Sequence, residues 1–97
     1  MASNTDVAQA WAHGRACAAG HLKTDGYSVW SYYLRIGVTL RKGDETCSVV
    51  LGYRGTDKVS QTTSCHVGRV ARYADKLIPP NDLDGMLNDG WTVAVRP

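Results

Sequence analysis

Apolar positions along the chain recur first at helical spacing and then in alternation. In NTDVAQAWAHG, Val7, Ala10, Trp11 and Gly14 fall three or four residues apart, which predicts a helix capped by Asn4, with Asp6 in the first turn where the helix dipole favours negative charge. Gly14 marks where that helix frays, although RACAA offers a continuation to a stop at Gly20. A TDG turn at 24–26 separates short HLK from the long run YSVWSYYLRIGVTLR, and KGD at 42–44 separates that run from ETCSVVLGY. Three antiparallel strands are expected from these turns. In the long run Trp30, Tyr32, Leu34, Ile36, Val38 and Leu40 alternate with Val29, Ser31, Tyr33, Arg35, Gly37, Thr39 and Arg41. The first set is expected to face the core and the second to face outward. The next strand places Cys47, Val49, Leu51 and Tyr53 inward and Ser48, Val50, Gly52 and Arg54 outward. RGTD is a further turn, and KVSQT adds a short strand.

A second helix has the clearest periodicity, with Val67, Val70, Ala71, Ala74, Leu77 and Ile78 on one face and Pro79 and Pro80 as its stop. Cys65, Arg69, Arg72 and Lys76 occupy its other side. NDLDGMLNDG reads as turns and WTVAV as a last strand. The expected fold is α+β: an antiparallel sheet of three to five strands with two helices packed on one face, in the order α-β-β-β-(β)-α-β. Residues 1–97 are expected to form a single domain, with 79–97 an acidic C-terminal segment containing the last strand.

Composition narrows the function more than the fold. At 43% hydrophobic and 21% charged residues the chain is ordinary globular protein. Its net charge of +2 does not by itself announce a nucleic-acid binder. The charge is polarised, however: residues 1–78 carry ten Lys/Arg against six acids, and residues 79–97 one against three. MASNTDVAQAW has neither the basic start nor the apolar run of a secretory signal, and no stretch approaches the roughly 20 apolar residues of a membrane span. An intracellular protein is expected, with no membrane partner. Cys17, Cys47 and Cys65, odd in number, suit reduced thiols rather than a disulfide scaffold.

The chemistry worth testing lies in SQTTSCHVGR. Cys65 beside His66 near a helix start has the ingredients of an activated thiolate. Adjacent helical residues nevertheless point about 100° apart, so the preferred reading is a helix start capped by Thr62, Thr63 or Ser64, with His66 at the border of the apolar face hydrogen-bonded to a strand. His13, Cys17 and His21 share a face only if the first helix continues past Gly14, and no tight cysteine pair accompanies them, so neither a metal nor any other cofactor is expected. Dinucleotide, P-loop and nucleophile-elbow motifs are missing too. What remains is binding. Tyr33, Arg35, Thr39, Arg41 and Arg54 on the outward strand face, with Arg69, Arg72 and Lys76 on the second helix, combine rings with cations, as stacking and phosphate neutralisation require.

WAHG, TDGYSVWSYYLRI and VSQTTSCHVG, in that order and spacing, resemble a family of small uncharacterised proteins of phages and other mobile elements, over roughly residues 4–75. The resemblance brings no activity with it. It implies a setting: small phage proteins of this size commonly bind and block a host protein or a defence complex, as anti-CRISPR inhibitors do. The α-β-β-β-α order is also that of double-stranded-RNA-binding domains, but TSCHVGR stands where their lysine-rich helix start belongs, so that activity is not carried over. The expectation is a non-enzymatic module in the host cytoplasm, engaging a host protein or nucleoprotein through Tyr33, Arg35, Arg41, Arg54, Arg69, Arg72 and Lys76. Alternatives are a nucleic-acid-binding regulator and a small thiol enzyme using Cys65 with His66 or His21. A homodimer paired through the WTVAV edge is compatible with any of these.

Overall fold

Helix α1 (Asn4–Ala12) opens the computed structural model, which describes residues 2–53 and 61–94. Its cap is Ser3 rather than Asn4. The Ser3 hydroxyl accepts from the Asp6 N–H at 3.2 Å and the Asp6 carboxylate accepts from the Ser3 N–H at 2.8 Å. This reciprocal pair satisfies two otherwise free donors, which is why the helix starts where Asp6 can reach back. It stops at Ala12, and Gly14 turns the chain with φ +71. RACAA therefore does not extend the helix but enters strand β1 (Cys17–Ala19).

Strands β2 (Leu22–Thr24), β3 (Ser28–Ser31), β4 (Leu34–Lys42) and β5 (Glu45–Leu51) follow as an antiparallel meander continuing from β1. Helix α2 (Gln61–Ala71) leads to β6 (Lys76–Ile78), which pairs with β5 in parallel. A 3-10 turn at Pro80–Asp82 runs into helix α3 (Leu83–Asn88), and β7 (Thr92–Val93) pairs with β4. Among the described residues the sheet is thus mixed and seven-stranded, with path order β1-β2-β3-β4-β5-β6. The fold is α+β as expected, but the sheet is larger and the described residues contain three α-helices. RGTD, most of KVSQT and Val95 lie outside the described residues, as does Arg54.

Two sequence motifs prove to be halves of one joint. Trp11, 2% exposed, sends its indole N–H to the Tyr27 carbonyl and to Thr39 Oγ1, both at 3.1 Å. Gly26, at φ +102, lies so close to the α1 exit that a Cβ there would stand 2.6 Å from the Gly14 carbonyl oxygen. Only glycine fits both the conformation and the space. The turn itself is held by Asp25, whose Oδ1 accepts from the Tyr27 and Ser28 N–H groups at 2.9 Å each.

The long run is not one strand. Tyr32 and Tyr33 form a two-residue hairpin loop between the paired residues Ser31 and Leu34. Val29 and Ser31, expected outward, are consequently buried, while Trp30 and Tyr32, expected in the core, are half-buried and exposed. A second irregularity lies further along: Val29 pairs with Gly37 but Trp30 with Arg35, so β4 carries one extra residue at Ile36–Gly37. Such a bulge reverses the alternation that follows it.

Leu34 and Ile36 therefore face α1 and α2 together with Gly37 and Thr39, whereas Val38 and Leu40, of the same parity, face the opposite side. That is how one alternating series serves two cores. Val7, Ala8, Trp11, Leu22, Val29, Ile36, Val50, Val67 and Val70 form the first, under α1 and α2. Val38, Leu40, Cys47, Val49 and Leu51 form the second, closed by Leu83 with Met86, Leu87 and Trp91. Val50 and Thr39, expected outward, belong to the first side because helices cover it. NDLDGMLNDG is helical in its middle because burying Leu83 and packing Met86 and Leu87 outweigh the glycine.

Helix α2 is shorter than its apolar periodicity predicts. Tyr73 and Ala74 N–H groups bond to Val70 and Ala71 in the closing turns, and the Asp75 N–H then bonds to the Ser48 carbonyl at 2.8 Å. From there the chain is strand. Leu77, expected in the helix core, is 59% exposed on β6.

Candidate binding surface

The thiol and imidazole of Cys65 and His66 diverge. Cys65 is exposed and His66 buried, with His66 Nδ1 at 2.7 Å from Ser31 Oγ on β3. Ser31 Oγ also lies 2.9 Å from Thr63 Oγ1. Thr62, Thr63 and Ser64 are not the cap: α2 already begins at Gln61, so they sit inside its first turns, where Thr63 turns inward to the sheet. A serine hydroxyl on an imidazole has the outline of a nucleophile with its base, but Ser31 is 0% exposed. A substrate cannot reach it, and the arrangement fastens α2 to β3. Burial, followed by the charge of His21, holds the His66 imidazole below its ordinary value. Burial likewise pushes the Cys47 thiol up, with Asp75 adding to the effect and Lys76 opposing it.

The helical face proposed for His13, Cys17 and His21 is not formed. His13 ends α1, Cys17 is on β1, and the His21 ring stacks on Tyr32 with centroids 4.3 Å apart and 16° between planes. Among the described residues no cluster of three or more His, Cys, Asp or Glu side chains could hold a metal ion. No helix among them is long and apolar enough to cross a membrane.

The basic-aromatic residues scatter. Arg35 lies opposite Trp30, on the face that α3 leaves uncovered near β1–β3. Arg41 lies on the other face, because the Ile36–Gly37 bulge intervenes. Arg69 donates to Thr5 Oγ1 at 3.2 Å and ties α2 to α1. Arg72 follows α2, and Lys76 is on β6, opposite Val49. Among the described residues Arg35 and Arg41 stand on opposite faces of the sheet, so those two do not share one surface.

The registers assemble a different group. Ala18, Lys23, Trp30 and Arg35 stand side by side across β1, β2, β3 and β4. At about 4.8 Å per strand, Lys23 and Arg35 are separated by about 10 Å with the indole between them. Lys23 Nζ is 6.0 Å from the Trp30 ring centroid. At the row's rim, Tyr33 is 96% exposed, while Tyr32 is held by its ring stack and by its N–H bond to the His21 carbonyl at 2.7 Å. Lys23, Trp30, Tyr32 and Tyr33 line a shallow hollow of about 220 Å³. A larger hollow of about 750 Å³ lies between α2, the end of β5 and Pro79–Asn81, with Tyr53, Val67, Leu77 and Ile78 among the described residues that line it. The row across β1–β4 and its shallow hollow form a shelf that joins cations with rings.

The sequence reading named Tyr33 and Arg35 for binding but not Lys23, Trp30, Tyr32 or His21, which the strand registers and the ring stack bring beside them. One signal was available. The run of 15 residues from Tyr27 to Arg41 exceeds the usual strand length of about 5–6, and its adjacent tyrosines stand near the middle, where a hairpin divides it. No protein-family model, curated protein or solved structure matches the chain.

Proposed function

We propose that the protein is a non-catalytic binding module that holds an anionic partner, such as an acidic host protein or a nucleoprotein, against the Lys23–Trp30–Arg35 row. The observation that carries this reading is the register itself. Two cations flank an indole on a part of the sheet that none of the described helices covers, with a fully exposed tyrosine beside them. The Lys23–Trp30 pair also supports the sheet, but Tyr33 makes no such contribution at 96% exposure. The acid nearest in sequence, Asp25, is occupied by its own turn. Cations beside rings engage carboxylate or phosphate with little competition from internal ion pairs. The resemblance to small phage proteins suits a partner in a host defence complex.

Immobilised heparin, a generic polyanion, tests the reading. The wild-type chain should elute at higher salt than Lys23→Gln/Arg35→Gln, while Arg72→Gln/Lys76→Gln should elute close to wild type. Equal elution of all three removes the shelf as the binding surface.

A further inference from the structure

Resting on that reading, we propose that the shelf binds single-stranded nucleic acid, with about two or three bases stacked on Trp30 and the tyrosines and the backbone phosphates held by Lys23 and Arg35. The composition of the shelf separates this ligand from an acidic polypeptide. Carboxylates need cations but make little use of rings. Here two cations are accompanied by the indole of Trp30, the phenols of Tyr32 and Tyr33 and the imidazole of His21. A partner that brings flat π faces as well as negative charge matches both halves of the group.

The geometry also favours single strands over duplex. Base faces inside a duplex are already stacked on one another and cannot be offered to a protein ring. The row lies on an open sheet face, a platform on which unpaired bases can stack. Tyr33, at 96% exposure, has no packing role inside the chain. Tyr32 is fixed at both ring and backbone by His21, which makes it a rigid edge to the hollow rather than a mobile cover. A base entering the hollow meets Trp30 and is bounded by Lys23, whose ammonium already stands 6.0 Å from the ring centroid. Stacking accepts any base, so the rings by themselves do not read base identity.

Fluorescence anisotropy with labelled octamers of oligo(U) and oligo(dT), a labelled duplex of the same length and a poly-glutamate peptide tests the inference. Both single strands are expected to bind, more tightly than the duplex or the peptide. Stronger oligo(U) binding indicates contacts to the 2′-hydroxyl and equal binding their lack. Tyr33→Ala, which removes a side chain without internal packing, should weaken oligonucleotide binding about 5- to 100-fold. Its heparin elution should be unchanged. Lys23→Gln/Arg35→Gln should flatten the log–log salt dependence by about 1.4. Trp30→Phe, read against the unfolding curve of the same variant, should retain part of the affinity. Heparin retention that depends on Lys23 and Arg35 without oligonucleotide binding overturns the nucleic-acid assignment and leaves the anionic-partner reading standing. Loss of both interactions sinks the two together, and duplex binding as tight as single-strand binding also overturns the stacking model.

Discussion

Removing one buried hydroxyl should cost far more than removing the exposed thiol. Ser31 is wholly enclosed, and its Oγ meets His66 Nδ1 at 2.7 Å and Thr63 Oγ1 at 2.9 Å. Ser31→Ala deletes a single oxygen, leaving too little room for a water to take its place. The imidazole nitrogen then loses its Ser31 bond where solvent does not compensate. An unsatisfied buried polar atom costs about 1–3 kcal/mol. Near 2 kcal/mol, a domain of this size should melt roughly 8–16 °C lower. Cys65→Ala, at an exposed helical position, should stay within about 0.5 kcal/mol of wild type.

Urea unfolding followed by circular dichroism measures both, and equal denaturant slopes for the three proteins license the comparison. The contrast tests the assignment of His66 as a fastening rather than a base for the neighbouring thiol. If Ser31→Ala lies within about 0.5 kcal/mol of wild type, the hydroxyl–imidazole contact holds nothing together. A Cys65→Ala cost equal to that of Ser31→Ala refutes the separation of the two side chains.

His66 also sets a pH dependence. Its pKa is lowered in the folded state, chiefly by burial, so as pH falls the unfolded chain takes the proton first. Its contribution is complete above the ordinary value of 6.5 and is lost as pH drops from there through the lower folded value. That slope cannot exceed about 1.4 kcal/mol per pH unit. Unfolding curves at a series of pH values should show it in wild type and a shallower slope in His66→Gln. Trp11→Phe keeps a ring but removes the donor to Tyr27 and Thr39. It should cost about 2 kcal/mol by the same urea assay. Gly26→Ala places a Cβ 2.6 Å from the Gly14 carbonyl oxygen at φ +102, for a cost of at least about 2 kcal/mol. Gly68→Ala, helical and with nothing within 4 Å, should instead stabilise by about 0.5–1 kcal/mol. Similar melting temperatures for these two glycine variants contradict the packing at the Gly14–Gly26 joint.

The elements that were legible are those whose periodicity and punctuation agree. Helix α1, the TDG and KGD turns and the inward set Cys47, Val49 and Leu51 on β5 were read correctly because local preference and burial point the same way there. Illegible were the places where tertiary contacts override the local pattern. Tyr32-Tyr33 lacks the glycine or asparagine that marks a two-residue hairpin. The Ile36–Gly37 bulge is marked only by the isolated Gly37, which alternation passes over, yet it sends Arg35 and Arg41 to opposite faces. Leu77 and Ile78 continue a helical stripe, but pairing of Lys76–Ile78 with Val49–Leu51 takes them into the sheet. Charge and ring content could nominate a binder from composition. Which cations stand together depended on register, which alternation alone could not supply.

The hairpin that builds the shelf is a poor choice for folding. Tyr32 holds φ +58, a left-handed conformation that costs an L-residue roughly 1–2 kcal/mol. Asparagine or glycine would relieve that strain. Part of the cost is offset by the His21 ring stack and by the backbone bond between the same two residues, an aromatic pair being worth about 0.5–1.5 kcal/mol. Tyr33 recovers nothing inside the chain, because its side chain is 96% exposed. A two-residue loop of bulky aromatics is therefore a strained one, and its rings border the Lys23–Trp30–Arg35 row. Local departures of this kind concentrate where a structure serves something other than its own folding. Helix α3 closes the opposite end of the same sheet face over Val38, Leu40 and Val49, so the uncovered end is where the chain has rings and cations to present instead of a core to hide.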